Sequence, residues 1–300
     1  MRILLAGASG MIGTALISSL RVRGDQVVVL VRRPSGGPSE IEWDPESGVL
    51  DPAVLEGIDA VVGLSGAPVG KLPWTKSTRE EILNSRVNAT RTLARAIRAA
   101  REAGFGPSVF VNASGVNAYG NSRPDDCLDE TTQVPPFGGG FLCDVVRQWE
   151  KAAKEAEVPG VRVALLRTGI VAGRGGAFDR LEMLARFGVA GRIGNGEGAW
   201  PWISLRDEVG AILHILDADD VSGPVNLVGP TPASSSDVMR AVAHHLKRPY
   251  WLPTPTWAVK AALGPAADDL VLIDLLVLPE KLQESGYVFR DQTIEDAVRA

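Results

Sequence analysis

The sequence predicts an α/β protein built on a doubly wound parallel sheet, with a smaller carboxyl-terminal substrate lobe. Short apolar segments of strand type alternate with longer helical segments through the first two thirds of the chain. Its 300 residues exceed the usual size of one hydrophobic core, which favours a large domain carrying a smaller one. The chain is 45% hydrophobic and 22% charged, as is typical of a globular protein.

The predicted strands are rich in Val, Ile and Leu, as expected of parallel strands buried on both faces. They cover residues 2–6, 26–31, 60–64, 108–112 and 162–166, with a sixth candidate at 225–228. Apolar residues at helical spacing predict helices over 12–23, 79–102, 142–157 and 206–216. Proline, glycine and aromatic residues become denser over 173–202 and 230–264, as in loops. We therefore expect a cofactor-binding domain over 1–173, to which 203–229 return, and a lobe formed by 174–202 and 230–300.

Composition argues against several classes of function. The formal net charge of -5 disfavours nucleic acid as a partner, because phosphate backbones demand a basic face. No apolar run reaches the roughly 20 residues that a membrane helix needs, and the amino terminus runs into glycines rather than a signal-peptide cleavage site. We expect a cytoplasmic protein, either a monomer or a homodimer. Two cysteines and three scattered histidines predict no metal site.

A glycine-rich turn between the first strand and the first helix predicts a dinucleotide site on a Rossmann-type domain. Gly7, Gly10 and Gly13 are spaced G-x-x-G-x-x-G. Glycines at these points give a tight turn, close approach of the backbone to a pyrophosphate, and a helix amino terminus that favours anions. The second strand ends in Arg32 and Arg33 instead of the acidic residue that accepts from the ribose of NAD. Two guanidiniums match a 2'-phosphate, so NADP(H) is the predicted cofactor, although a pair of solvated loop arginines is the alternative.

Short motifs occur along essentially the whole chain. They are the glycine turn, Trp43-Asp44-Pro45, Leu64-Ser65-Gly66-Ala67-Pro68, Ser85-Arg86-Val87 with Thr90, Ala113-Ser114 with Tyr119-Gly120, Trp149-Glu150, Arg167-Thr168-Gly169-Ile170, Gly175-Gly176, and Trp202-Ile203 with Asp207. Together they resemble the extended short-chain dehydrogenase/reductase superfamily, and within it the atypical branch of NAD(P)-dependent epimerase-family proteins. The resemblance implies that the stretch from about residue 230 is that family's small extra domain.

The resemblance also implies a set of cofactor contacts. In the glycine turn and first helix they are Gly7, Ser9, Gly10, Met11, Ile12 and Gly13. Leu64, Ser65 and Gly66 would follow a strand along the cofactor, and Asp59 would lie near its adenine end. Ala113 and the segment Arg167-Thr168-Gly169-Ile170 complete the set, with the last three residues close to the nicotinamide.

One departure from the superfamily concerns its Tyr-x-x-x-Lys motif, in which the lysine lowers the pKa of the tyrosine for proton transfer. Counting back from Glu150, the tyrosine position falls at Phe141 or Leu142, and its partner at Val145 or Val146. Apolar groups cannot shuttle protons. The usual mechanism therefore does not carry over to this chain.

Two hydroxyls remain as catalytic candidates after the strand at 108–112. Ser114 matches the hydroxyl that polarises a carbonyl in the superfamily, and its alternative is a turn hydroxyl bonded to its own backbone. Tyr119 is the candidate proton donor, against a role in packing or substrate contact. Cys143 and Asp144 are weaker candidates. Trp200 and Trp202 either wall a substrate pocket or fix a loop to the core.

Two classes of function stay open. In the first, the protein is an oxidoreductase or epimerase that transfers hydride between NADP(H) and a carbonyl or nucleotide-sugar-like substrate, with Ser114 holding the oxygen. In the second, it is a non-catalytic regulator or scaffold that binds NADP(H). The missing tyrosine and lysine favour the second class, while the glycine-rich and aromatic loops at the expected pocket favour the first.

Overall fold

The central element of the molecule is a seven-stranded parallel sheet. The computed structural model describes residues 1–300 apart from the side chains of Pro124 and Asp125. In chain order the strands are β1 (Arg2–Ala6), β2 (Gln26–Val31), β3 (Glu40–Glu42), β4 (Ala60–Gly63), β5 (Val109–Gly115), β6 (Ser122–Leu128), β7 (Arg162–Thr168), β8 (Ile170–Ala172), β9 (Trp202–Ser204), β10 (Gly223–Leu227) and β11 (Asp274–Val277). The sheet order is β10-β7-β5-β4-β1-β2-β3. The chain adds β2 and β3 on one side of β1 and then crosses to add β4, β5, β7 and β10 on the other side, which confirms the doubly wound prediction.

Helices cover both faces of this sheet. They are α1 (Met11–Arg23), α2 (Lys76–Glu102), α3 (Phe141–Ala153), α4 (Ala177–Arg186), α5 (Leu205–Asp217), α6 (Ser235–His245), α7 (Thr256–Leu263), α8 (Ala267–Leu270), α9 (Glu280–Glu284) and α10 (Ile294–Arg299). Alternate residues of β1 pack into two hydrophobic cores, one on each face of the sheet. Ile3 and Leu5 pack with α1 and α5, whereas Leu4 and Ala6 pack with α2 and α3.

The predicted strands and helices agree closely with the observed ones. β1 and β2 have the predicted bounds, while β5 and β7 run further toward the carboxyl edge than predicted. The helix predicted over 142–157 ends earlier as α3 and continues in a 3-10 turn, Lys154–Ala156. β3 was not predicted, because Glu40–Glu42 is a three-residue edge strand without an apolar run.

A further hydrophobic cluster lies outside the two cores that flank the sheet. Trp200 and Trp202 are buried in it with Met239, Ile273 and Ile294. Each indole N–H donates to a backbone carbonyl within this region, which favours the interpretation that the two tryptophans fix the loop to the core. Two short parallel strand pairs, β6 with β11 and β8 with β9, complete the region.

Asp207 joins the carboxyl-terminal segment to α5. Its buried carboxylate accepts the backbone N–H groups of Arg290 and Asp291 at 2.8 and 2.9 Å and the Tyr287 hydroxyl at 2.9 Å. The Ser204 hydroxyl caps α5 and contacts the same carboxylate. Across the described part of the chain, no helix is long and apolar enough to cross a membrane.

Candidate functional site

The glycine turn joins β1 to α1 at the carboxyl edge of the sheet. Gly7 has a φ of +88°, and a Cβ there would lie 2.6 Å from the carbonyl carbon of Leu64, so this position requires glycine. A Cβ at Gly13 would collide with the Gly7 carbonyl oxygen. A Cβ at Gly10 would meet only that oxygen, at 3.5 Å, and would otherwise point into open space. The turn is therefore an open cradle at a helix amino terminus, which fits a pyrophosphate.

The other predicted residues of this turn surround the cradle. Ser9 is exposed, whereas Met11 and Ile12 are half-buried at the start of α1. The Met11 sulfur would lie 3.4 Å from a Cβ at Gly173 or Gly176, so this side chain lies against the segment that follows β8. The start of α1 and the segment that follows β8 thus meet at the cradle.

The two arginines after β2 differ in their partners. Arg33 forms a bidentate ion pair with Glu40 of β3, at 2.8 and 2.7 Å. The hydrogen bonds from Arg33 and from the Gly36 N–H lower the pKa of Glu40 to about 2. A carboxylate that the sequence analysis did not predict therefore stands beside Arg33. Arg32 is exposed and has no ion pair or hydrogen bond with any side chain that the structure describes, so its guanidinium is free.

The residues implied around β4 separate to opposite edges of the sheet. Leu64, Ser65 and Gly66 follow its carboxyl end, beside the glycine turn. Asp59 precedes the strand, and its carboxylate accepts the Arg2 N–H at 2.6 Å. Because the parallel register pairs Ile3 with Ala60, Asp59 lies at the amino edge of the sheet. It is about 13 Å along the strand from Gly63, the last residue of β4. The expectation that Asp59 lies near the adenine is corrected on this ground.

Ser114, Glu150 and Arg167 form a buried cluster at the carboxyl ends of β5 and β7. Ser114 and Arg167 are partners in the register of these strands, and Glu150 reaches them from α3. The Ser114 hydroxyl donates to Glu150 Oε1 at 2.7 Å. Arg167 donates to the two oxygens of Glu150 at 2.9 and 3.0 Å. Burial alone would lower the pKa of Arg167, but the hydrogen bonds and charge of Glu150 raise it.

This cluster changes the expected roles of two residues. Arg167 is 3% exposed, and its guanidinium is hydrogen-bonded to Glu150. The expectation that this side chain contacts a cofactor therefore does not fit its placement. The hydroxyl proton of Ser114 is donated to the Glu150 carboxylate. The lone pairs of the Ser114 oxygen therefore remain free to accept a hydrogen bond. Ser114 is therefore arranged to accept a hydrogen bond at the carboxyl edge, rather than to donate one to a carbonyl. Ala113, one residue earlier in β5, is half-buried at the same edge.

Tyr119 lies in the interior, on the 3-10 turn Val116–Tyr119. Its side chain has no exposed surface, and its hydroxyl contacts the Asp129 carbonyl and Asn226 Oδ1, both at 2.8 Å. Burial raises the pKa of Tyr119. The expectation that Tyr119 gives a proton to a substrate does not fit this placement, because the hydroxyl is enclosed and already bonded.

The start of α3 presents no substitute for the missing tyrosine and lysine. Leu142 and Val146 are 6% and 5% exposed, and both face apolar neighbours. Cys143 is fully buried with its thiol toward the Ala118 carbonyl, and burial raises its pKa. Asp144 pairs with Arg147 at 2.9 Å on the outer side of the helix. These two residues therefore do not take the place of the proton donor.

Thr168 connects the site to a buried acid that the sequence reasoning missed. Its hydroxyl donates to Glu208 Oε1 at 2.9 Å, and Glu208 Oε2 has no partner among the described residues. Glu208 is 1% exposed, and burial raises its pKa to about 8, against a smaller lowering by the Thr168 hydrogen bond. Its position among Leu205, Val209 and Ile212 on the apolar face of α5 is the signal that could have found it.

Gly169 and Ile170 follow Thr168 at the start of β8. A Cβ at Gly169 would collide with the Pro201 carbonyl oxygen, and the Ile170 N–H donates to that same oxygen at 2.7 Å. The segment after β7 is thus fixed to the loop that precedes β9. This arrangement holds Thr168, Gly169 and Ile170 at the carboxyl edge, on the same edge as Ser114.

The parallel sheet, the glycine cradle and the hydroxyl at the carboxyl edge define a dinucleotide-binding protein of the dehydrogenase/reductase type. A model of the NAD dependent epimerase/dehydratase family matches residues 3–229, and a model of a domain of unknown function, DUF1731, matches residues 254–300. The chain belongs to the NAD dependent epimerase/dehydratase family, as the resemblance predicted.

Relatives extend over nearly the whole chain. Epimerase family protein ML0860 of Mycobacterium leprae is 39% identical over 295 residues, covering 98% of this chain and 93% of the relative. A crystal structure of human epimerase family protein SDR39U1 with NADPH has a TM-score of 0.90 and 31% identity, covering 100% of this chain and 98% of that one. A nucleoside-diphosphate sugar epimerase from Corynebacterium glutamicum has a TM-score of 0.80 and 29% identity, covering 99% of this chain and 57% of that one.

Proposed function

We propose that this protein is an NADP(H)-dependent oxidoreductase or epimerase with an atypical active site. The observation that carries the proposal is the Ser114 hydroxyl, held by Glu150 at the carboxyl edge where open α/β sheets bind their ligands. The preference for NADP(H) is supported by the free guanidinium of Arg32 and by the NADPH in the structure of the human relative.

The residues at this edge fit a dinucleotide. Gly10 leaves the space above the turn open, and the first N–H groups of α1 face it without intrahelical partners. Arg32 would bind the 2'-phosphate, Ser65 and Gly66 would follow the cofactor, and Thr168 to Ile170 would lie near its nicotinamide, with Ala113 beside them. A bound nicotinamide supplies the hydride chemistry.

Ser114 would orient a substrate hydroxyl. Because its own proton is given to Glu150, its oxygen accepts the hydrogen of an alcohol more readily than it donates to a carbonyl. Both oxygens of Glu150 are hydrogen-bonded by Arg167, and one of them also accepts from Ser114, so this carboxylate is engaged inside the cluster. We therefore assign Ser114 the role of positioning the reacting oxygen and assign Glu150 the role of fixing the Ser114 hydroxyl.

The proposed substrate is a small molecule with a secondary alcohol or carbonyl, of the nucleotide-sugar type. This class is supported by the name of the Corynebacterium glutamicum relative. The domain assignment also remains a proposal: residues 1–173 with 203–229 would bind the cofactor, and 174–202 with 230–300 would form the substrate lobe. The separate hydrophobic cluster around Trp200 and Trp202 supports this division.

The second candidate is a non-catalytic NADP(H)-binding regulator or scaffold. A specific observation favours it: the positions of the superfamily's tyrosine and lysine fall at Phe141 or Leu142 and at Val145 or Val146, and all four side chains are apolar. None of them titrates, so a proton must be handled elsewhere or not at all.

A screen on the purified protein separates the two candidates. NADPH binding would be measured by calorimetry, and NADPH or NADP+ turnover by absorbance against panels of carbonyl compounds, alcohols and nucleotide sugars. Turnover that Ser114→Ala removes supports the enzyme. Tight binding of NADPH with no turnover across all panels contradicts the enzyme and favours the regulator, and absence of binding contradicts both.

A further inference from the structure

An exposed apolar patch is formed by two segments of the chain, 183–196 and 238–267. Phe187, Trp251 and Trp257 are 77%, 67% and 74% exposed. Large aromatic side chains are normally well buried, and the other five tryptophans of this chain are buried. The apolar patch comprises Met183, Leu184, Phe187, Trp251, Leu252 and Trp257.

Hydrogen bonds hold the two segments against each other. The Trp251 N–H donates to the Ala190 carbonyl at 3.1 Å, and Trp251 Nε1 donates to the Gly188 carbonyl at 3.0 Å. The Gly194 N–H donates to the Thr254 carbonyl at 2.9 Å, which brings the start of α7 beside the first segment. The exposed side chains therefore belong to one surface, and a surface of this kind marks an interaction site.

The pattern of α4 shows that one of its sides has no partner. Phe178 and Ala185 are buried and pack against the hydrophobic cluster that includes α6. At 100° per residue, Met183, Leu184 and Phe187 lie on the opposite side, and all three are exposed. A helix that is apolar on both sides is normally covered on both, so the outer side of α4 is suited to contact with something outside the chain.

The two segments are basic, although the chain as a whole has a formal net charge of -5. They contain six arginines and lysines and no aspartate or glutamate. Three of these cations pair with acids that lie just outside the segments. The other three, Arg192, Lys247 and Arg248, are exposed and form no ion pair with any side chain that the structure describes. The patch therefore complements an anionic partner.

An anionic lipid surface fits this combination better than a second copy of the chain. In a twofold dimer the same patch lies on both sides of the contact, so the free cations would face one another. Protruding aromatic rings between arginines and lysines are typical of proteins that lie on a membrane, because the rings enter the headgroup boundary while the cations bind lipid phosphates. The Trp251 N–H is already bonded to Gly188, so its ring can enter an apolar layer without an unpaired donor.

We infer that the apolar patch and its three free cations bind the surface of an anionic lipid membrane. The rings of Phe187, Trp251 and Trp257 would lie at the boundary between headgroups and acyl chains. The inference does not depend on the proposed function. The alternative occupant is a small-molecule substrate, because Arg180, on the same side of α4, donates to the Gly70 carbonyl in the loop after β4.

The test is co-sedimentation with vesicles of phosphatidylcholine, with and without phosphatidylserine, at low and high salt. We expect binding only to vesicles that contain phosphatidylserine, and weaker binding at high salt. Phe187→Ser and Trp257→Ser should each weaken it about 10-fold by removing a large apolar side chain from the boundary, and Arg248→Gln about fivefold. Val22→Ser and Arg21→Gln are the matched controls, because both residues are exposed on α1, and they should leave binding unchanged.

Tryptophan fluorescence gives an independent measurement on the same samples. Because the other five tryptophans are buried, a shift of the emission to shorter wavelength on vesicle binding reports on Trp251 and Trp257. We expect this shift in the wild type and in both α1 controls, and a smaller shift in Trp257→Ser.

Four results would overturn the inference. The first is a wild-type protein that does not bind vesicles containing phosphatidylserine. The second is binding that the patch variants weaken no more than the α1 controls do. The third is a dimer in light scattering that Phe187→Ser dissociates, which would assign the patch to a second copy of the chain. The fourth is loss of turnover in Phe187→Ser or Trp257→Ser without any vesicle binding by the wild type, which would assign the patch to the substrate.

Discussion

The Ser114 hydroxyl donates its hydrogen bond to Glu150 across 2.7 Å, in a cluster that leaves both residues less than 10% exposed. The carboxylate is neutralised by Arg167, so the direction of this bond is fixed by charge: an ionised carboxylate can only accept. The arrangement holds the Ser114 oxygen in one orientation at the carboxyl edge.

Replacing Ser114 by alanine should reduce turnover about 100-fold or more, because removal of one positioned hydrogen-bonding group at a reacting oxygen has this effect in other enzymes. NADPH affinity should stay within a factor of about two, since the hydroxyl faces the substrate and not the cofactor in this proposal. Single-turnover absorbance and calorimetry measure the two quantities. Equal turnover in Ser114→Ala would assign the hydroxyl to structure.

Gly10→Val should abolish NADPH binding and leave the fold intact. The backbone of Gly10 has a φ of -75°, which any residue adopts, and its Cβ would point into open space. A branched side chain there would occupy the pyrophosphate position. Gly13→Ala is the contrasting variant, because its Cβ would collide with the Gly7 carbonyl and should lower the melting temperature. Normal NADPH binding by folded Gly10→Val would show that the site lies elsewhere.

Arg32→Ala should weaken NADPH by about 10- to 150-fold, the worth of a charge-assisted hydrogen bond of about 1.5–3 kcal/mol, and should leave NADH nearly unchanged. Arg33→Ala should have the smaller effect, because Arg33 is already held by Glu40 at 2.7 Å. Calorimetric titration of each variant with both cofactors checks this order. The assignment fails if the two variants lose NADPH affinity equally, or if NADH affinity falls in parallel.

Glu208 should make the stability of the protein fall as pH rises. Burial raises the pKa of this carboxyl from 4.5 to about 8, so between these values the folded chain holds a proton that the unfolded chain has released. The free energy of unfolding should then decrease by about 1.4 kcal/mol per pH unit from this residue over the window. The stability that Glu208 contributes is fully present below the pKa of 4.5 in the unfolded chain, and it is lost as the pH rises to the folded pKa of about 8.

The measurement for Glu208 is urea unfolding of the wild type and Glu208→Gln at about pH 5 and about pH 8. Glutamine keeps an acceptor for Thr168 and does not titrate. The difference in stability between the two proteins should therefore shift in favour of the variant at the higher pH. A difference that does not change with pH would mean that Glu208 is ionised in the folded protein throughout.

The sequence predicted the parallel sheet well because its inner strands are buried on both faces and so consist of continuous apolar runs. β3 carries no such signal, and with it the Arg33–Glu40 pair escaped prediction. Asp59 shows a different failure: the strand predicted over 60–64 already placed this residue before the strand, at the amino edge, and the structure agrees, so only the role implied by the resemblance was wrong.

The chemistry of the site was only partly predictable. Ser114, Glu150 and Arg167 were each noted in motifs, yet Glu150 is 36 residues from Ser114 and 17 residues from Arg167 in sequence. Their contact depends on the register of β5 with β7 and on which face of α3 meets the sheet. Hydrogen-bond direction, and with it the role of Ser114 as an acceptor, follows only from that contact.

Tyr119→Phe should reduce stability by about 1–3 kcal/mol and leave turnover unchanged. The Tyr119 hydroxyl has one proton, which the Asp129 carbonyl and the buried Asn226 Oδ1 share, and its loss leaves these acceptors without that proton; an unsatisfied buried acceptor has this cost. The Arg167 guanidinium lies 4.8 Å from the centroid of the ring, a contact that phenylalanine retains, so the Ser114 cluster should stay in place. Urea unfolding and turnover on the same preparation check both expectations. If Tyr119→Phe keeps its stability but loses activity, the hydroxyl reaches a substrate after all, through a conformation in which the turn Val116–Tyr119 opens.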